Sequence, residues 1–203
     1  AEAHNWLTVG YHVSGDIEAA YDSSRRAIAL NPMSAEARNN FASSLLFLGR
    51  TGEALAELKR ALELEPDYDT ATFFAALAHY ELGQFEEALN TMDGLELPWA
   101  GVGVDTARAL AHAALGDEAS ARQRLEKIRQ TPYAFDEGLA LMGLGERDGA
   151  VGAFGRARFD DIEFAVGYWP TVCVRYLFKK AWDTPGDPSI RSDMLRRIED
   201  SWS

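Results

Sequence analysis

The chain has 203 residues, 47% of them hydrophobic and 26% charged, with a net charge of −12. That is enough to bury one core, while a single cysteine, Cys173, excludes an internal disulfide and any multi-thiolate zinc site. The acidity is uneven, with 6 Lys/Arg against 16 Asp/Glu in residues 1–100 and 14 against 16 in residues 101–203. It disfavours nucleic acid and anionic membrane, leaving a neutral or basic partner or a surface that only keeps the chain in solution.

In chain order the elements come in pairs. The first unit is predicted as helices over Ala1–Ser14 and Ile17–Leu30, turning at Gly15-Asp16 and ended by Asn31-Pro32, because Pro lacks an amide donor. The second has helices over Ala35–Leu48 and Thr51–Leu64, stopped by Pro66. The third has Asp69–Leu82 and Gln84–Asp93, the fourth Val104–Leu115 and Asp117–Arg129, the fifth Pro132–Leu144 and Glu146–Phe159. Each inter-helix turn holds a glycine (Gly15, Gly49, Gly83, Gly116, Gly145), the residue that tolerates a left-handed helix end. The first three are 34 residues apart, as are Pro32 and Pro66. A fixed period near that length signals a helix–turn–helix solenoid, in which each unit packs mainly on its neighbours.

Small residues recur in phase. The eighth slot of successive units holds Thr8, Ala42, Ala76, Ala109 and Gly138, and the twentieth holds Ala20, Ala54, Ala88, Ala121 and Ala150. Ala27, Ala61 and Ala157 fill the twenty-seventh, where Leu95 and Ile128 depart. With Pro32 and Pro66 in phase, these residues resemble tetratricopeptide repeats over about Ala1–Phe159. The resemblance implies an all-α, right-handed α-α superhelix of five units (1–34, 35–68, 69–102, 103–130 and 131–159). It implies helices that cross closely at the small slots and a concave surface lined by first helices.

The third-to-fourth junction, "GLELPWAGVGVD" (Gly94–Asp105), breaks the pattern and reads as a looser joint. Gly101-Val-Gly103 is no dinucleotide fingerprint, since it lacks the third glycine and follows no strand. Residues 160–203 leave the repeat. "FAVGYWPTVCVRYLFKKAW" (Phe164–Trp182) is apolar and aromatic, and Ser189–Trp202 reads as an amphipathic helix. The segment is expected to cap the open end of the stack with helices, or else to fill the groove. "IRSDMLRRI" also resembles, over few residues, the closing helix of tetratricopeptide regions in bacterial signalling proteins.

No nucleophile elbow, phosphate loop, zinc-protease motif or calcium loop is present, so no catalytic residue, metal or cofactor is expected. His79 and His112 share the eleventh slot with Tyr11, Leu45 and Leu141, which points to packing. Asp67 and Asp69 read as turn and cap residues, and Arg122, Arg124, Lys127 and Arg129 as a solvated helix face.

Helical spacing along the first helices gives a candidate groove. It runs through Asn5, Val9 and His12, then Glu36, Asn39, Ser43 and Leu46 with Phe47 beside them, then Phe73, Leu77 and Tyr80 with Phe74 beside them. It continues through Thr106, Leu110 and Ala113 to Phe135, Leu139 and Met142. The line is polar at its start and apolar-aromatic from the third unit on, which suits the anchors of a peptide or amphipathic helix. The same residues would also serve packing between first helices. The clamp by which some tetratricopeptide domains hold acidic chaperone tails needs cations at slots that here hold Asn5, Val9, Asn40, Thr70 and Phe74. Without them a carboxylate would be buried unpaired, which disfavours that ligand class.

The sequence therefore reads as a non-catalytic protein–protein interaction scaffold within a larger signalling or assembly protein. The alternatives are a self-associating module, such as a homodimer through Trp99 or Trp169, with its groove filled in cis, and a small-ligand sensor. No stretch approaches the ~18–20 apolar residues of a membrane span and no signal-peptide pattern opens the chain, so a cytoplasmic location is expected. The start at Ala1, without an initiator Met, reads as a portion of something longer.

Overall fold

The computed structural model describes residues 1–97 and 101–156, and the expected C-terminal cap and its groove-filling alternative lie outside these. The described residues form ten helices and no strand. They are α1 (Glu2–Ser14), α2 (Ile17–Leu30), α3 (Ala35–Phe47), α4 (Thr51–Leu64) and α5 (Asp69–Glu81). Then come α6 (Phe85–Thr91), α7 (Gly101–Ala114), α8 (Glu118–Ile128), α9 (Ala134–Gly143) and α10 (Arg147–Arg156). Successive helices pack in pairs, and each pair rests on the next, giving an all-α superhelix.

One device closes each pair. Gly15, Gly49, Gly83, Gly116 and Gly145 all sit at φ between +71° and +80°. The residue after each glycine donates its amide to a carbonyl five positions back, as in Arg50 N to Leu45 O and Glu146 N to Leu141 O, both 2.9 Å. This motif satisfies the helix-end carbonyls and reverses the chain. Asp16 and Asp117 then cap the second helices α2 and α8 by accepting from Ala19 N and Ser120 N, and Ser34 does the same for α3 through Ala37 N. At α5 no side chain caps the end: Tyr68 holds the cap position and Asp69 lies in the first turn.

The crossing points are filled by the small residues. Ala20, Ala54, Ala88 and Ala121 are wholly buried, and Ala42, Ala76, Ala109 and Ala150 wholly or nearly so. Thr8 fits the same slot because its hydroxyl is satisfied by its own helix, donating to His4 O at 2.7 Å. A longer side chain at these points would separate the helices.

Two places depart from regular stacking. Residues Gly101 and Gly103, expected in a loose joint, belong to the first turn of α7, with the Phe73 ring 3.9 Å from where a Gly103 Cβ would lie. Before them the short α6 ends at Met92 and the chain reverses at Gly94 (φ +68°). The Arg108 guanidinium of α7 binds the carbonyls of Met92 and Leu95, which ties this irregular turn to the next unit. The second departure is α9. The earlier first helices α3 and α5 lie mainly on the second helix before them, whereas α9 lies mainly on α7. Gly143 permits this approach, since a Cβ there would stand 2.8 Å from Leu110 Cδ2.

Candidate functional site

The candidate groove residues lie where the helical spacing puts them, on the first helices α1, α3, α5, α7 and α9. Of the residues in this line only Glu36 is exposed, while Leu46 and Thr106 are buried and Ala113 is half-buried. Asn5, His12, Asn39, Ser43, Phe73, Phe74, Leu77, Leu110, Phe135 and Leu139 are buried; Val9, Phe47, Tyr80 and Met142 are half-buried. The accessible part of the line is therefore Glu36 together with the half-buried Val9, Phe47, Tyr80, Ala113 and Met142.

At its N-terminal end the buried groups of the line are polar and neutral. His12 Nε2 lies 2.9 Å from Ser44 Oγ and its ring 5.2 Å from that of Phe47. Ser44 Oγ also lies 3.1 Å from Asn40 O, and which of Ser44 and His12 Nε2 donates to the other follows the tautomer of the imidazole. Burial lowers its pKa from 6.5 to about 4. Ser43 donates to Asn39 O at 3.0 Å. Asn5 and Asn39, 34 residues apart in the same slot, are both buried, and the side-chain carbonyl oxygen of each has no donor among the described residues.

From α5 onward the strip is apolar. Phe73, Phe74 and Leu77 belong to a cluster that also holds Leu45, Leu46, Leu58, Val104 and Ala107. Tyr80 turns toward its own second helix, with its ring 5.3 Å from Phe85, and burial raises its pKa. Phe135 packs on Phe154 at 5.4 Å, while Leu110 lies beneath α9 at Gly143.

One buried group escapes a reading of the sequence. Asp136, next to Phe135, is almost wholly buried, and burial raises its pKa from 3.8 to about 6, opposed by the Thr106 hydrogen bond. Thr106 Oγ1 stands 2.9 Å from both Asp136 Oδ1 and Val102 O. Its single proton cannot serve both acceptors. Thr106 donates to the ionised carboxylate, whereas a protonated Asp136 has a proton of its own to donate to Thr106 and leaves the hydroxyl proton for Val102 O. Thr106 is in the candidate line, and the acid one residue beyond Phe135 is the available signal.

The charged residues form bridges. Arg124 pairs with Asp105 on α7, Arg122 with Glu146 ahead of α10, and Arg129 with Glu137 on α9, which Arg156 also reaches. The basic run, expected as a solvated face and exposed at Arg122, Lys127 and Arg129, thus also ties α8 to α7, to α9 and to the turn before α10. A slot pair could have revealed part of this. Residues 19 apart face each other between the helices of a unit: His4 and Ser23 (3.2 Å), Arg38 and Glu57 (2.7 Å), Asp105 and Arg124 (3.0 Å). The last two are one bridge with its signs exchanged. His79 and His112 likewise reach across their turns, to Gln84 (2.7 Å) and Asp117 (3.2 Å). Among the described residues no group of three His, Cys, Asp or Glu is placed to hold a metal, and no helix is long and apolar enough to cross a membrane.

Comparison with known proteins agrees with this architecture. Models of the tetratricopeptide repeat family match residues 45–98 and 102–127. The chain is 37% identical over 75 residues to the Protein STIP1 homolog of Dictyostelium discoideum, a match spanning 37% of this chain and 13% of that protein's length. Among solved structures it is similar to TTC0263, a thermophilic TPR protein of Thermus thermophilus. The TM-score is 0.66 at 23% identity, covering 89% of this chain and 98% of that one. It is also similar to YrrB, described as a TPR protein with an unusual peptide-binding site (TM-score 0.53, 14% identity, 85% and 90% covered). Laid over glycine-closed helix pairs that cross at buried alanines, these matches show tetratricopeptide repeats in residues 45–98 and 102–127 and a tetratricopeptide superhelix as the fold.

Proposed function

We propose that the chain is a non-catalytic scaffold that holds a protein partner, as an extended peptide or a helix, along the line of its first helices. A tetratricopeptide fold indicates a protein–protein interaction scaffold in general terms. The finer reading is supported above all by Asn5 and Asn39. Two buried amide oxygens one repeat apart, each without a donor, are costly unless a group such as a peptide N–H meets them. The half-buried Phe47, Tyr80 and Met142 then offer apolar contacts farther along. The peptide-binding site of YrrB supports the same use of this fold. The excess of acid in residues 1–100 favours a neutral or basic partner over an acidic one.

Burial of Phe73, Leu77, Phe135 and Leu139 within the single chain favours a second reading, in which the line is filled in cis by the chain itself. The two separate in a binding screen of the intact chain against neutral, basic and acidic peptides. The first reading expects saturable binding of neutral or basic peptides that weakens about tenfold or more in Asn5→Leu/Asn39→Leu, the scale of two lost hydrogen bonds. No binding by any peptide class sinks it in favour of the second.

A further inference from the structure

We infer, building on the peptide-holding role proposed above, that the first two units form a site for an extended, basic segment of the partner. Its backbone N–H groups meet the amide oxygens of Asn5 and Asn39, and its lysine or arginine side chains pair with Glu2 and Glu36. The two units open on a repeated pair. Ala1-Glu2-Ala3-His4-Asn5 stands at the start of α1 and Ala35-Glu36-Ala37-Arg38-Asn39 at the start of α3, so each asparagine follows a glutamate by three residues, at a spacing of 34. Residues three apart share a helix face. The later units hold Thr70 and Phe73, Gly103 and Thr106, and Pro132 and Phe135 in the same two slots, so the glutamate–asparagine pair is confined to the first two.

The members of each pair differ in their surroundings. Asn5 and Asn39 are each 3% exposed, and neither side-chain oxygen has a donor among the described residues. Glu2 and Glu36 are exposed, and among the described residues neither side chain is in an ion pair or hydrogen bond. Glu36 and Asn39 lie well inside the chain, with α1 and α2 before them and α4 after. The cation between them in sequence, Arg38, is committed to Glu57 and to Pro32 O, both at 2.7 Å, and His4 lies against Ser23. No lysine or arginine stands in the candidate line of first-helix residues, and burial keeps His12 neutral above about pH 4.

A helix dipole accounts for an acid in a first turn. It does not account for an amide oxygen buried without a donor three residues later. A partner helix has few N–H groups to give, since its own carbonyls take them, whereas an extended segment offers one at every residue but proline. Packed helices stand about 8–10 Å apart, and an extended chain advances ~3.3 Å per residue, so about three residues of the partner span the two units. The exposed carboxylates then select lysine or arginine over a neutral side chain, through pairs that stay partly in water and are singly weak.

Fluorescence anisotropy at low salt on the intact chain tests this with blocked, dye-labelled eight-residue peptides. One set carries two lysines two, three or four residues apart in a neutral background, and a second has glutamine in place of both. The best lysine peptide should bind more tightly than its glutamine counterpart. Glu36→Gln, at an exposed site, should weaken the lysine peptide about fivefold, the scale of one exposed ion pair, and leave the glutamine peptide unchanged. Glu2→Gln/Glu36→Gln should abolish the preference, and Asn39→Leu should weaken both peptides by the same factor. Glu63→Gln, which removes an exposed acid of α4, should change neither. Equal binding of the two peptides to the wild type overturns the inference while the peptide-holding role stands. So does a lysine preference that survives in Glu2→Gln/Glu36→Gln or is lost as much in Glu63→Gln. Binding of neither set overturns it as well, and if the screen above also finds no peptide, the peptide-holding role falls with it.

Discussion

The first and last unit junctions solve the same packing problem with opposite chemistry. Where α1 meets α3, the buried polar groups are neutral: His12, Ser24, Ser44 and the two asparagines. Where α7 meets α9, they are a carboxyl, Asp136, held by Thr106, under a lattice of arginine–carboxylate bridges from α8 and α10. Each junction touches mainly its own neighbours, so each keeps its own response to solvent conditions. A stack of similar units can thus carry different sensitivities at its two ends without any change of fold.

The largest expected effects test whether the two halves behave as separate neighbourhoods. Leu45 and Leu125 are both fully buried, one in each half. Leu45→Ala and Leu125→Ala should each cost about 2–5 kcal/mol. Amide exchange should speed up in the units next to each substitution and little in the other half. Uniform loss of protection from either change would break the comparison.

Next comes pH. Burial lowers the pKa of His12 from 6.5 to about 4. Between those values the unfolded chain binds a proton that the folded one refuses, so the first junction loses stability as pH falls from 6.5 toward 4. Asp136 runs the other way. Its pKa rises from 3.8 to about 6, so the folded chain keeps a proton that the unfolded one has released, and the last junction loses stability as pH rises through that window. Each effect is on the order of 3 kcal/mol at full extent. Asp136→Asn should match the wild type in melting temperature near the acid end of the window and exceed it at neutral pH. His12→Gln should flatten the acid side. A wild-type-like pH profile in both variants would remove this part of the account.

The smallest effects are the bridges. Removing Arg124 from Asp105, or Arg129 from Glu137, should cost about 0.2–1 kcal/mol each in double-mutant cycles, because the pairs are partly exposed. The cost should shrink in high salt, whereas substitutions in the His12 and Ser44 network should be salt-insensitive.

Much of the fold could be read from residues whose constraint is local. A left-handed turn demands glycine, and a close crossing demands alanine, so Gly49 or Ala54 announces its role wherever the chain is read. The strip of first helices was legible as a direction but not as a surface. Spacing places Phe73 or Leu139 on one face, while how near the next first helix stands depends on a distant residue such as Gly143 opposite Leu110. Most of the bridges were hidden because their partners sit 19 or more residues apart, Arg129–Glu137 at 8 being the exception, and the exchanged signs of Arg38–Glu57 and Asp105–Arg124 conceal a shared slot. Asp136 is hard to foresee because acids are ordinarily at the surface.

The most direct measurement of the central claim is a backbone amide footprint of the intact chain with and without the tightest peptide from the binding screen. The account predicts that slowed exchange falls on α1, α3 and α5, around Asn5, Asn39 and Tyr80, and leaves the second helices α2, α4 and α6 unchanged. Protection confined to those second helices would contradict it.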